Sequence, residues 1–158
     1  MEGEGEAGGE GDGGASIRRY DREDVVSRVL YQSELVAMVP LEEGLAEIEL
    51  SELIKRDLLL APTDTRSRQR LNEAIKSAKL PKLTSETVKL EAYGTKVLVA
   101  FGSHKHGTVV VPSDIAYPFR AGNQLAGEWA ERFTWARVTS EGKPITNNVF
   151  VTTRRHHH

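Results

Sequence analysis

The stretch VKLEAYGTKVLVAFGSHKHGTVVVP, from Val88 to Pro112, decides the fold, because it can be cut either into strands joined by tight turns or into strands joined by a helix. Its first residues favour the strand reading. Val88, Leu90 and Ala92 alternate with Lys89, Glu91 and Tyr93, the period of two that puts successive side chains on opposite sheet faces. Gly94 offers a turn, and Val97 to Phe101 form an apolar run. GSHKHG then supplies a second turn before Thr108 to Val111, and Pro112 ends that strand. Two successive hairpins are therefore predicted.

Working outward, the C-terminal side adds a third hairpin. RFTWARVT from Arg132 to Thr139 turns at Glu141-Gly142-Lys143-Pro144 and returns through ITNNVFVTT. A helical turn beginning near Asp114 and a short helix placing Leu125 against Trp129 fill the gap between them.

The N-terminal side reads as more helical. From Arg22 to Pro40 a helical start runs into a strand. Ser51 stands as an N-cap to a helix ELIKRDLLL that Pro62 closes. Thr63 or Asp64 caps a second helix through Leu80, with Leu71, Ile75 and Ala78 on one face. The expected fold is a single α+β domain. Five or six antiparallel strands, mostly in the C-terminal half, pack with two or three helices. A small Greek-key barrel of OB-like form is the alternative.

Composition divides the chain. Residues 1–14 hold five acids, seven glycines and no base, so they cannot offset their ordering entropy by burying apolar surface and read as a disordered acidic tail. Without those five acids, 21 bases face 18 acids and the net charge moves from −2 to +3. The expected organisation is a tail over 1–14, one domain over 15–153, and a C-terminal tail over 154–158 whose His156, His157 and His158 resemble a purification tag. With no cysteine, disulfides, thiolate catalysis and cysteine-ligated metals are excluded. No apolar run reaches membrane-spanning length, and a soluble, cytoplasmic protein is expected.

Two surfaces suggest binding. Arg66, Arg68 and Arg70 with Lys76, Lys79 and Lys82 make a base-rich helix suited to phosphate contacts, or else a solvated helix face. Phe133, Trp135 and Arg137 share one strand face, with Arg132 beside them. Exposed, that row would stack bases; turned inward, it is a core face with Arg137 at its rim. Tyr93, Tyr117 and Phe119 are alternative stacking groups.

The H-x-H pair His104 and His106 lacks a third ligand in sequence, and no metal or cofactor is expected. Neither glycine-rich phosphate loops nor nucleophile motifs occur. These features rank a nucleic-acid-binding module first, for single strands or a nucleoprotein assembly, with the acidic tail regulating access. A structural or assembly subunit, such as a virion or scaffold component acting through protein contacts or homo-oligomerisation, comes second. A small enzyme centred on His104 or His106 comes third.

Overall fold

Parallel strands joined by helices, rather than hairpins, organise the chain. The computed structural model describes residues 24–156, with side chains over 31–148. Two compact units are present. Residues 32–147 form one, and the described residues 24–31 and 148–156 belong to the other. The acidic stretch 1–14, the boundary at Ala15, the final histidine pair and the side chains of Arg154 and Arg155 lie outside the described residues.

The elements follow in the order β1 (Asp24–Pro40), β2 (Glu47–Glu49), α1 (Leu50–Leu53), β3 (Leu58–Leu60), α2 (Arg66–Ser77), β4 (Val88–Glu91), α3 (Thr95–Ser103) and β5 (Thr108–Pro112). Then come α4 (Ser113–Ala116), β6 (Phe133–Ser140), β7 (Lys143–Pro144) and β8 (Thr146–His156). The sheet runs β2-β6-β1-β5-β3-β4, with β7 on β6 and β8 on β1. It is mixed. β3 pairs in parallel with both β4 and β5, and β2 in parallel with β6, whereas β1 is antiparallel to β5 and β6.

Three corrections to the sequence expectation follow. Val97 to Phe101 are the middle of a helix, so Val88 to Pro112 is a strand-helix-strand unit. Leu58 to Leu60 are a buried strand rather than the end of a helix. Residues 24–40 form one strand throughout. An antiparallel α+β domain and an OB-like barrel are both ruled out by this topology: the parallel crossovers need helices on both faces, which makes the fold α/β.

Each helix sits where the strand alternation requires it. Leu58, Leu60, Val110, Ala136 and Val138 point to one face with Leu35, Ala37 and Val39, and pack against Leu71, Ala74 and Ile75 of α2. Leu59, Val109, Val111, Val36, Met38 and Trp135 point to the other, against Leu98 and Val99 of α3. Because β3 and most of β5 are buried on both faces, their sequences are continuous apolar runs instead of alternating ones. Each fully buried leucine contributes about 1.5–3 kcal/mol of transfer free energy.

Two glycines set the spacing around α3. A Cβ on Gly102 would lie 2.7 Å from both Met38 Cε and Val109 Cγ2. A Cβ on Gly107 would lie 2.8 Å from Leu59, so the lack of a side chain at both positions lets α3 and its exit loop lie directly on the sheet. At the other end, the Glu49 carboxylate fastens the β6–β7 turn. It accepts from Glu141 N at 2.6 Å, Thr139 Oγ1 at 2.9 Å and Gly142 N at 3.3 Å. The Glu141 amide bond chiefly holds this carboxyl below the usual glutamate range, against a smaller desolvation effect.

Candidate functional site

The order β5-β3-β4 makes the crossovers diverge. β3 leaves its C-terminal end through α2 on one face, and β5 leaves through α4, whose Ala116 belongs to the other face's core. Between two neighbouring parallel strands whose exits part in this way a crevice opens at their C-terminal ends, the common ligand position of open α/β sheets. A cleft of about 10 Å³ lies there. Leu35, Leu60, Leu71 and Val110 form its apolar wall, and Ser67 and Arg68 its polar lip.

The surrounding loops carry polar groups. Thr65 caps α2, its hydroxyl accepting from Arg68 N at 3.4 Å and donating to Pro62 O at 2.7 Å. Tyr93, in the loop after β4, donates to Asp64 Oδ2 at 2.7 Å, and this bond to a carboxylate raises the phenol's pKa. Beside β5, Ser33 is buried and donates to Asp114 Oδ1 at 2.6 Å, while Ser113 Oγ accepts from Glu34 N at 3.2 Å. Ser33 and Ser113 hydroxyls are 3.2 Å apart.

Arg68 is the unusual member. It is 7% exposed, and its Nη1 donates to Ala61 O at 2.9 Å and to Glu91 Oε2 at 2.7 Å. Its Nε has no acceptor among the described residues.

The residues singled out from sequence are dispersed. Arg66, Lys76 and Lys79 are exposed, and Arg70 Nε is committed to Thr146 O at 2.7 Å. Phe133 is half-buried against Trp129, and Trp135 is 9% exposed within the α3-side core. Arg132 is exposed; Arg137 pairs with Glu34 at 2.8 Å and with Glu47 at 3.7 Å. Because α2 packs on one face of the sheet and Trp135 on the other, the basic helix and the aromatic row do not form one surface. His104 and His106 lie at the C-terminal end of α3, where the His106 ring packs against Phe101 at a tilt of 54° with ring centroids 5.8 Å apart. Among the described residues no three histidine, aspartate or glutamate side chains converge to hold a metal. No helix among them is long and apolar enough to cross a membrane.

Ser33 and Ser113 were missed from sequence, and Asp64, Tyr93 and Asp114 were noted there only as a cap, a stacking group and a helix start. Ser113 and Asp114 follow the end of β5 and Asp64 and Tyr93 the ends of β3 and β4, while Ser33 sits within β1, and only the pairing of these strands brings the groups together.

An open mixed sheet with helices on both faces and polar loops at the strand ends defines an α/β ligand-binding domain. The chain belongs to the LysR substrate binding domain family, whose model matches residues 4–150. Its fold is thus the α/β, periplasmic-binding-protein-like fold of that family, with a mixed sheet.

Solved structures agree on the fold. The chain is similar to HinK, a LysR family transcriptional regulator from Pseudomonas aeruginosa, at 9% identity and a TM-score of 0.58, over 95% of this chain and 52% of that one. It is similar to the CcmR regulatory domain of Synechocystis PCC6803 in complex with 2-PG, at 10% identity and 0.57, over 88% and 67%. Full-length CbnR complexed with its target DNA matches at 13% and 0.56, over 89% and 47%. The chain spans about half the length of several of these structures. No curated protein matches it significantly in sequence. The family match overturns the reading as a single-stranded nucleic-acid module and that as a virion or scaffold subunit.

Proposed function

We propose that this chain is the ligand-sensing part of a transcription regulator. It would bind a small polar molecule at the C-terminal ends of β3 and β5. The observation that carries this reading is the divergence of α2 and α4 from those neighbouring strands, which leaves a crevice lined by Ser67 and Arg68 of the first turn of α2, with the Ser33–Ser113 hydroxyl pair just beyond the end of β5. Family membership supports it. CcmR's regulatory domain was solved with a small ligand and CbnR with DNA. By analogy, DNA contact and oligomerisation belong to the whole regulator, with the DNA held by a part other than this α/β unit.

The test is a thermal-shift screen of small organic acids against the full chain, followed by calorimetry. Ligand at 100 times its dissociation constant adds about 2.7 kcal/mol to stability. Ser33→Ala and Ser113→Ala are expected to weaken binding. A ligand whose NMR perturbations map to His104 and Gly107, at the opposite ends of the strands, would overturn the assignment.

A further inference from the structure

The chain enters the unit of residues 32–147 along β1 and leaves it along β8, and side chains hold both strands at that passage. On β1 the pairing with β5 ends at Leu35 and Pro112, a proline with no amide to donate. Side chains take over further out. Glu34 N donates to Ser113 Oγ at 3.2 Å, and Ser33, 2% exposed, donates to Asp114 Oδ1 at 2.6 Å and accepts from Asp114 N at 3.4 Å. On β8, Arg70 of α2 donates from Nε to Thr146 O at 2.7 Å, a bond strengthened by the charge on its donor. The two strands meet beside these clasps, where Leu35 N donates to Ile145 O at 2.9 Å.

We propose that Arg70 and Asp114 are positioning residues of a relay, which carries the state of the crevice into β1 and β8 where those strands pass the edge of the unit; this role rests on the ligand-sensing reading above. Both clasps come from the borders of the crevice. It opens because α2 and α4 diverge, and each of these helices supplies one clasp, Arg70 from α2 and Asp114 from α4. Arg70 directly precedes Leu71, which lines the cleft. Leu35 joins the two sides, since it lines the cleft and its amide makes the bond between the strands. A group entering there cannot shift α2 or α4 without either moving Thr146 and Ser33 or breaking their bonds. Arg70 also had a simpler course open to it. Its side chain is 33% exposed, with Glu73 at 3.9 Å on the next turn, yet its Nε reaches a strand carbonyl 76 residues away.

The chain has no cysteine, so Ser67→Cys places a single thiol at the cleft, and its reaction with iodoacetamide occupies the crevice covalently. Amide hydrogen exchange of the full chain, read by NMR with and without this label, has two reporters: the Leu35 amide for the bond between the strands and the Glu34 amide for the β1 clasp. The label is expected to change both exchange rates about tenfold, the scale of one hydrogen bond from a charged group. Adding Arg70→Met should abolish the response at Leu35 and keep that at Glu34, and Asp114→Ala should do the reverse. Arg70 is partly exposed, so the outcome does not depend on whether Asp114→Ala folds. A merely structural clasp behaves differently, because its loss raises exchange by the same factor with and without the label. That additive result overturns the relay, and so does a label that alters the α2 amides but neither reporter. The two readings separate. Reporters that respond to the label, with no small organic acid raising the melting temperature, retain the relay and remove sensing. An acid that binds yet leaves both reporters unmoved removes the relay and leaves sensing intact.

Discussion

Replacing Gly107 with alanine is expected to destabilise the domain by way of a single side chain. The new Cβ would stand 2.8 Å from both Cγ and Cδ2 of Leu59 and 3.2 Å from the carbonyl oxygen of Asp57. Carbon atoms in contact prefer separations of about 3.5–4.0 Å, so the Leu59 contacts are short by roughly 0.7 Å or more. Neither neighbour yields easily. Leu59 is 1% exposed at the centre of the parallel ladder, and Asp57 O accepts the Thr108 amide at 2.8 Å where β5 begins beside β3. Overpacking of this kind costs about 1–3 kcal/mol. With a urea dependence of about 1–3 kcal/mol per molar, the unfolding midpoint should fall by about 1 M. Urea unfolding of Gly107→Ala, Leu59→Ala and the double variant, followed by tryptophan fluorescence, tests the mechanism. Leu59→Ala alone should cost about 2–5 kcal/mol. The double variant should cost less than the sum by at least about 1 kcal/mol, because truncating Leu59 removes the clash. A Gly107→Ala midpoint equal to wild type, or additive costs, would refute the close packing of this loop on β3.

Three further outcomes are expected. Glu49 has a lowered pKa when folded, so its stabilisation is complete above the ordinary glutamate range and disappears as pH falls through the depressed value. Urea midpoints of wild type and Glu49→Gln should differ at neutral pH and converge in acid; a gap unchanged with pH would count against the turn clasp. In an ultraviolet titration one of the four tyrosines should ionise late, and Asp64→Asn should return it to the ordinary range, since the Asp64 carboxylate is what raises Tyr93. Trp135→Ala should cost about 3–5 kcal/mol. In wild type, acrylamide should quench Trp129 more than the buried Trp135; strong quenching of Trp135 would mean that the α3-side core is open.

The chain-stop signals were partly readable and the strand partners were not; Ser51, expected as an N-cap, lies inside α1, whose N-cap is Glu49. Thr65, one residue beyond the anticipated caps, starts α2, and Pro40 ends β1. The segment from Val97 to Phe101 misled because β-branched residues favour strands where nothing else decides. Tertiary context decides here. Leu98, Val99 and Gly102 are buried while Val97 and Phe101 stay exposed, a helical pattern that a run of five apolar letters conceals. LLL at 58–60 shows the converse error, since a strand buried on both faces has no alternation to detect.

The arginine row of α2 carried a signal that spacing alone could have exposed. Successive residues of a helix turn by about 100°, so Arg68 points about 200° away from Arg66 while Arg70 returns to within about 40° of it. Three arginines at every second position therefore cannot share a helix face as they would share a strand face. One of them must turn toward the face on which Leu71 and Ile75 are buried, and that residue is Arg68. A cation placed there needs partners that the helix cannot supply. Ala61 O and Glu91, 23 residues further on, meet Nη1, and both are delivered by the ends of parallel strands. Burial of Arg68 is thus tied to the parallel topology, because only neighbouring parallel strands bring the end of β4 and the exit of β3 to the same turn of α2.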